Sequence, residues 1–288
     1  MKSQYENRVL SSFMLWFDHT LLDKGEAFTN HNSKYYPVDG TYFGYTAYGA
    51  PFKQFVTDSS IDNATVASGV YVSGTSISDF KFTGDYPLAD INFDQGQVYF
   101  NGTIADDAVI SGSYAIKDFN VYLTSKAEQE LLFEDAIKLR PSTTQTETAL
   151  ASNVATYPAI FIKNNGGENE PWAFGGEDMT KTNVRAIVLA DSQFSLDAVC
   201  SIFKDTQKEI VKILPDNKYP FNALGGLKSG VYNYTGLVNG MSDEVYLDKI
   251  EVSRFSLGYM ENLNNSNPDV FKAIIDFELE GYRFPRAS

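Results

Sequence analysis

Between residues 35 and 123 the chain breaks into short runs of alternating apolar and polar residues, each closed by Gly, Asp or Asn. Strand side chains point to opposite faces in turn, so such runs suit half-buried strands joined by tight turns. The run SGVYVS (68–73) stops at Gly74, and DINFDQGQVYF (90–100) reads as two strands around a Gln95-Gly96 turn. SGSYAIKDFNVYL (111–123) alternates through Phe119, Val121 and Leu123. Together these predict an antiparallel sheet or a small sandwich. Aromatic usage agrees with them: 18 Tyr and 21 Phe stand against two Trp, and Tyr and Phe favour pleated surfaces.

The flanking segments follow another period. In residues 3–22, Val9, Leu10, Phe13, Met14, Phe17 and Leu21 recur at spacings of three and four, the signature of one helix face, with Gly25 after Lys24 as a stop. Residues 125–139 repeat that pattern through Leu131, Leu132, Ala136 and Leu139, and Pro141 ends it. A polar stretch, PSTTQTET (141–148), reads as a linker. AIFIK (159–163) and VRAIVL (184–189) read as strands, separated by a long loop, NNGGENEPWAFGGED (164–178). A helix is expected over 194–214 from Leu196, Val199, Phe203, Ile210 and Leu214, with Ser195 as N-cap and Asp197 in the first turn. Two more strands are expected over 244–259 and 270–282, turning at 264–268.

The expected fold is α+β: a mixed, mainly antiparallel sheet with packed helices, plus a β-rich hairpin or sandwich region. Three segments divide it. Residues 1–30 form an N-terminal helix free to pack on the later core, 31–124 are β-rich, and 125–288 form an α/β core.

Composition narrows the function. The formal charge of −14 repels nucleic acid, whose phosphates need clustered Lys and Arg. A single cysteine, Cys200, excludes an internal disulfide and a cysteine-based zinc cage. The N-terminus MKSQYENRVL has no apolar signal core, and no run approaches the roughly 18 apolar residues of a membrane helix. A soluble, cytoplasmically made protein without membrane partners is expected.

Chemical motifs fail one after another. His19 lies off the main apolar stripe beside Asp18 and reads as an exposed helix histidine; with His31 it is one of only two. Asp90, Asn92 and Asp94 resemble the start of a calcium loop, but its sixth and twelfth positions are Gln95 and Asn101 instead of Gly and Glu. The run Gly225 to Gly230 echoes a phosphate loop but has Leu227 where the glycine before the lysine belongs. Cys200 sits among apolar helix residues as a small hydrophobe. The glycosylation sequons at Asn63, Asn101 and Asn233 have no secretory signal to give them meaning. No catalytic residue, metal or cofactor is expected, and the chain reads as non-enzymatic.

That leaves the 164–178 loop. Its residues Asn164, Glu168, Glu170, Trp172, Phe174, Glu177 and Asp178 read first as an assembly surface, with a solvated loop or a carboxylate site as the alternatives. Tyr and Phe abundance suits buried interface centres.

The segment 156–208 resembles the central part of tailed-bacteriophage neck and tail-terminator proteins, which have a strand, a projecting loop, a second strand and a helix packed on the sheet. The closing residues IIDFELEGYRFPR (274–286) are similar to the last strand of such virion proteins, and 90–102 with 111–123 look like a β-hairpin region of head-to-tail connectors. The resemblance implies a homo-oligomeric ring, hexameric in form, in the virion neck of a phage assembled in the bacterial cytoplasm. Its partners would be copies of itself and neighbouring neck, tail-tube or sheath proteins. DNA would pass through the ring without specific binding. A carbohydrate- or receptor-binding β-rich surface protein is the alternative.

Overall fold

The computed structural model describes residues 4–38, 44–73, 75–77, 88–134, 138–139, 156–221, 231–255 and 270–284. Helix α1 (Tyr5–Lys24) leads into β1 (Phe28–Lys34), β2 (Tyr36–Pro37) and β3 (Thr46–Gly49). Next come β4 (Val70–Val72), β5 (Thr75–Ile77), β6 (Leu88–Asn92), β7 (Gln97–Phe100), β8 (Ile110–Lys117) and β9 (Asn120–Leu123). A π-helical turn (Glu130–Glu134) and short strands β10 (Lys138–Leu139) and β11 (Thr156–Tyr157) precede β12 (Ala159–Ala173) and β13 (Glu177–Ala190). Helix α2 (Gln193–Lys204), β14 (Ile210–Lys212), α3 (Tyr234–Val238), β15 (Glu244–Arg254) and β16 (Phe271–Arg283) complete the described elements. The architecture is mixed α+β with largely antiparallel sheets.

Two regions share helix α1. The first is the β-rich one, with four-stranded sheets ordered β1-β8-β4-β5 and β2-β3-β7-β6. Both send side chains into one aromatic cluster that includes Phe52, Phe55, Phe100 and Tyr114, and Phe55 stacks on Tyr114 at 4.3 Å. The second is a six-stranded sheet ordered β14-β15-β16-β13-β12-β9, antiparallel except where β12 runs beside β9. Helices α1 and α2 cover one face of it. Phe13 meets Phe277 edge-on at 5.0 Å, and Phe17 stacks on Phe203 at 3.8 Å. Burying each such phenyl contributes roughly 1.5–3 kcal/mol, which holds the helix more firmly than its own turns do.

The far side of α1 faces the β-rich region. Leu22 packs with Val56, Ile61 and Ala115. Asp18 pairs with Lys117 at 2.7 Å, both buried. The helix is therefore enclosed on most of its circumference, and its apolar positions exceed the single stripe that spacing predicts: Leu15, Trp16 and Leu22 are buried as well. Gly25 ends it as expected, its N–H donating to the Leu21 carbonyl.

Several expectations are corrected. The 164–178 loop is a hairpin: β12 and β13 pair from Ala159↔Leu189 to Ala173↔Glu177. On β13, Thr180, Thr182, Val184 and Ala186 alternate inward, and cross-strand pairing carries the Gly- and Asn-rich partner along against its weak intrinsic preference. The expected helix 194–214 stops at Lys204, and Ile210–Lys212 is β14, an edge strand beside β15. Thr206 Oγ1 donates to the Phe203 carbonyl and closes the helix, while Lys208 takes a positive φ of 70°. Val211 rather than Ile210 is buried, so the apparent helical stripe was coincidence. The cap is Ser192, whose Oγ accepts from the Ser195 N–H.

The helix over 125–139 shrinks to a turn at Glu130–Glu134, and Lys138–Leu139 bridges Thr156–Tyr157 as a strand. Leu131 and Leu132 cap the outer face of the large sheet together with Phe161, Ile187 and Leu189. Strand β9 belongs to the large sheet, not to the β-rich region that was expected to include it. The linker at 141–148, the phosphate-loop echo at 225–230, Ala136 and the turn at 264–268 lie outside the described residues.

Candidate functional site

The arm formed by residues 164–177 lies along one side of the large sheet, paired with residues 177–183 of β13, which β16 holds on their other side as far as Asp178↔Arg283. At its root, residues 159–162 of β12 lie between β9 and β13, but beyond Ile162 no described strand pairs with the outer edge of β12. Residues 164–175 are all exposed. Trp172 is 58% and Phe174 110% exposed, the latter at the very tip. Trp172 meets Tyr282 of β16 edge-on at 5.1 Å, and Phe284 follows at 55% exposure. An aromatic cluster thus crowns the end of the arm.

Its backbone depends on glycine. A Cβ at Gly167 would stand 2.2 Å from the Lys181 carbonyl oxygen, so only glycine allows the strands to pair after the bulge between Asn164 and Gly167. At the tip, Gly175 and Gly176 take φ of 114° and 94°, which a side chain resists. Pro171 and the bulges blunt the open edge of β12, as exposed edges require.

The β13 side of the arm is braced close to the turn, where Arg283 is level with Asp178. Arg283 donates to Thr180 Oγ1 at 2.8 Å and lies over the Tyr5 ring at 4.2 Å. Burial raises the Tyr5 hydroxyl above its ordinary value, with Arg283 pulling it back. The outer face carries paired charge: Lys181 sits 3.5 Å from Glu278 and 3.9 Å from Glu280, and Arg185 grips Asp276 at 2.6 Å.

Of the seven expected interface residues, Asn164, Glu168, Glu170, Trp172 and Phe174 share this exposed arm. Glu177 is half-buried at the turn. Asp178 is corrected: it is 3% exposed, because the strand alternation turns it to the inner face.

Three constellations escaped the sequence. Asp248, Glu278 and Glu280 bring carboxylate oxygens within 4.8 Å of one another on the outer sheet face, a set able to attract a cation. Lys181 and Lys208 already supply ammonium groups there.

The second constellation corrects the reading of His19. Its Nδ1 lies 2.8 Å from Asp58 Oδ2, and its ring stacks on Tyr234 at 4.4 Å. Asp58 is fully buried and its other oxygen accepts from Ser60 N, Ser60 Oγ and Tyr234 N. Burial alone would raise that carboxyl, yet the hydrogen bonds from His19, Ser60 and Tyr234 hold it below the ordinary range. Asp58 orients the imidazole as an aspartate orients a general base, but Ser60 spends its hydroxyl on Asp58 itself. No spacing in the sequence signals a pair 39 residues apart that meets only through the fold.

The third joins the two regions. Gln54 Nε2 donates to Asp94 Oδ1 and to the Val121 carbonyl, and Lys53 Nζ donates to Gln95 Oε1. Burial lowers the Lys53 ammonium to about 8, against the pull of Asp94. Asp94 and Asn92 are thereby spent on turn and network contacts, Asn92 Oδ1 accepting from Gln95 N at 3.1 Å.

Between α2 and β15 lies a groove of about 460 Å³ lined by Cys200, Ser201, Lys204, Ile250, Val252 and Arg254. Burial pushes the Cys200 thiol up, with Arg254 opposing. No protein-family model matches this chain, and no curated protein matches it either.

Proposed function

We propose that the chain is a non-enzymatic, ring-forming subunit of a tailed-bacteriophage neck, capping the tail and joining it to the head. The exposed aromatic arm carries this reading: Trp172 and Phe174 stand in solvent on a braced hairpin, and large aromatics placed so are the anchors of protein interfaces. Its order of strand, hairpin, strand and helix is the order in the neck and terminator proteins that residues 156–208 resemble. The charge of −14 suits a channel wall past which DNA must slide.

Native mass spectrometry and negative-stain microscopy of the purified chain test it. A closed ring, hexameric in the leading form, is the expected result. A monomer at every concentration, with glycan binding on the β-rich region, favours a carbohydrate-binding surface protein instead.

A further inference from the structure

The arm needs a surface to receive it, and the subunit offers one at the opposite corner of the same sheet. Helix α2 carries Phe194, Asp197, Ser201 and Lys204 along one line, at spacings of three and four. Phe194 is 84% exposed although it begins a helix otherwise anchored by Leu196, Val199 and Phe203. This line borders the groove floored by Ile250 and Val252, both half-buried. Beyond Tyr246 no described strand pairs with the outer edge of β15, because β14 ends at the Lys212↔Glu244 pair on one side and the Ile210↔Tyr246 pair on the other.

Charge differs between the two surfaces. Glu168 and Glu170 are exposed on the arm, and the nearby Lys181, which also feels Glu170, is shared with Glu278 and Glu280. At the groove, Lys204 has no ion-pair partner among the described residues, and Arg254 meets Asp197 at 3.2 Å while both stay about half exposed. An acidic, aromatic tip thus complements an apolar groove flanked by two cations.

The tip cannot reach its own groove. Val252 is level with Ile275 and Ala186, and nine residue steps along β13 lead from Ala186 to Glu177 at the tip, about 30 Å of extended strand. The two surfaces also lie on opposite margins of the sheet, with β16 and β13 between them. Complementary patches on opposite margins make a head-to-tail contact, which closes into a ring when its rotation permits.

We propose that the arm tip of one copy, with Phe174 leading, seats in the α2–β15 groove of the next copy. This rests on the ring reading and names the surface that closes it. Assembly of the full-length wild-type chain, followed by native mass spectrometry against concentration, tests the ring itself. Phe174→Ala, or Glu168→Lys with Glu170→Lys, raises the concentration needed for assembly about tenfold, as does Lys204→Glu with Arg254→Glu. Combining the four charge reversals brings it back to within about threefold of wild type. As a second measurement, assembled mixtures of Phe174→Cys and Ser201→Cys copies yield a disulfide between those two positions.

Rings in wild type that neither reversal weakens, that the combination does not rescue, or that form no such disulfide overturn the groove while leaving the ring standing. A monomer at every concentration overturns both. All the altered positions are exposed, so far-ultraviolet circular dichroism matching wild type is the control for folding.

Discussion

Strands β12 and β13 are two structures in one pair. At the root, residues 159–162, 184 and 186–190 are buried, with Ile160, Ile162 and Val188 facing α1 and α2 and Phe161, Ile187 and Leu189 facing the π-helical turn. In the arm the ladder of backbone hydrogen bonds continues through two bulges, yet residues 164–175 are all exposed, with Trp172 resting on Tyr282. Pairing sets the shape of both halves. Burial sets which half stabilises the molecule and which is left to bind something else.

The contrast can be broken most sharply at the root. Phe277 touches Phe13, Phe17 and Phe203 and is 1% exposed, so Phe277→Ala is expected to cost about 3–5 kcal/mol. Thermal unfolding should fall by roughly 10 °C, and a change of a degree or two would mean the root is not the stabilising half. Next is the buried Asp18–Lys117 pair that ties α1 to β8. Lys117→Met strands a buried carboxylate and should cost about 3 kcal/mol, most of it recovered when Asp18→Asn is added; denaturant midpoints of the single and double variants measure this.

A smaller effect follows pH. Lys53 titrates at about 8 in the fold and near 10.4 when unfolded, so the unfolded chain holds that proton more tightly. Its contribution to stability is least favourable below pH 8 and improves as pH climbs towards the unfolded value, by on the order of 2–3 kcal/mol. Tyr114, pushed up to about 12 by burial, acts oppositely above pH 10, where the unfolded chain ionises first. Urea midpoints from pH 7 to 10 should rise in wild type and lose that rise in Lys53→Met. The smallest effect belongs to the tip: Phe174→Ala should move stability by less than about 0.5 kcal/mol. A larger loss would show that the arm is folded into the core after all.

Much of the fold was legible from periodicity. The spacing of Val9, Phe13, Phe17 and Leu21 marks α1, and the alternation around Gln95-Gly96 marks the β6–β7 hairpin. The failures have a common cause. Residues 164–173 carry little strand preference, and β13 recruits them by pairing; Ile210 and Leu214 mimic a helical stripe although β15 holds the neighbouring chain as an edge strand. The site was half legible: glycine, acid and aromatic density singled out the arm, while inward-facing Asp178 could not be told from its exposed neighbours before the register was known.

By itself the sequence determined the class of elements, the absence of familiar metal and phosphate motifs, and the segment that would stand out from the core. Those are local properties, set by side-chain periodicity and backbone preference within a few residues. Tertiary structure decided what meets what: His19 with Asp58, Asp18 with Lys117, and Phe174 held at the corner of the sheet opposite the α2–β15 groove. Contacts between residues tens to hundreds of positions apart follow from sheet order and register, and no local pattern encodes either.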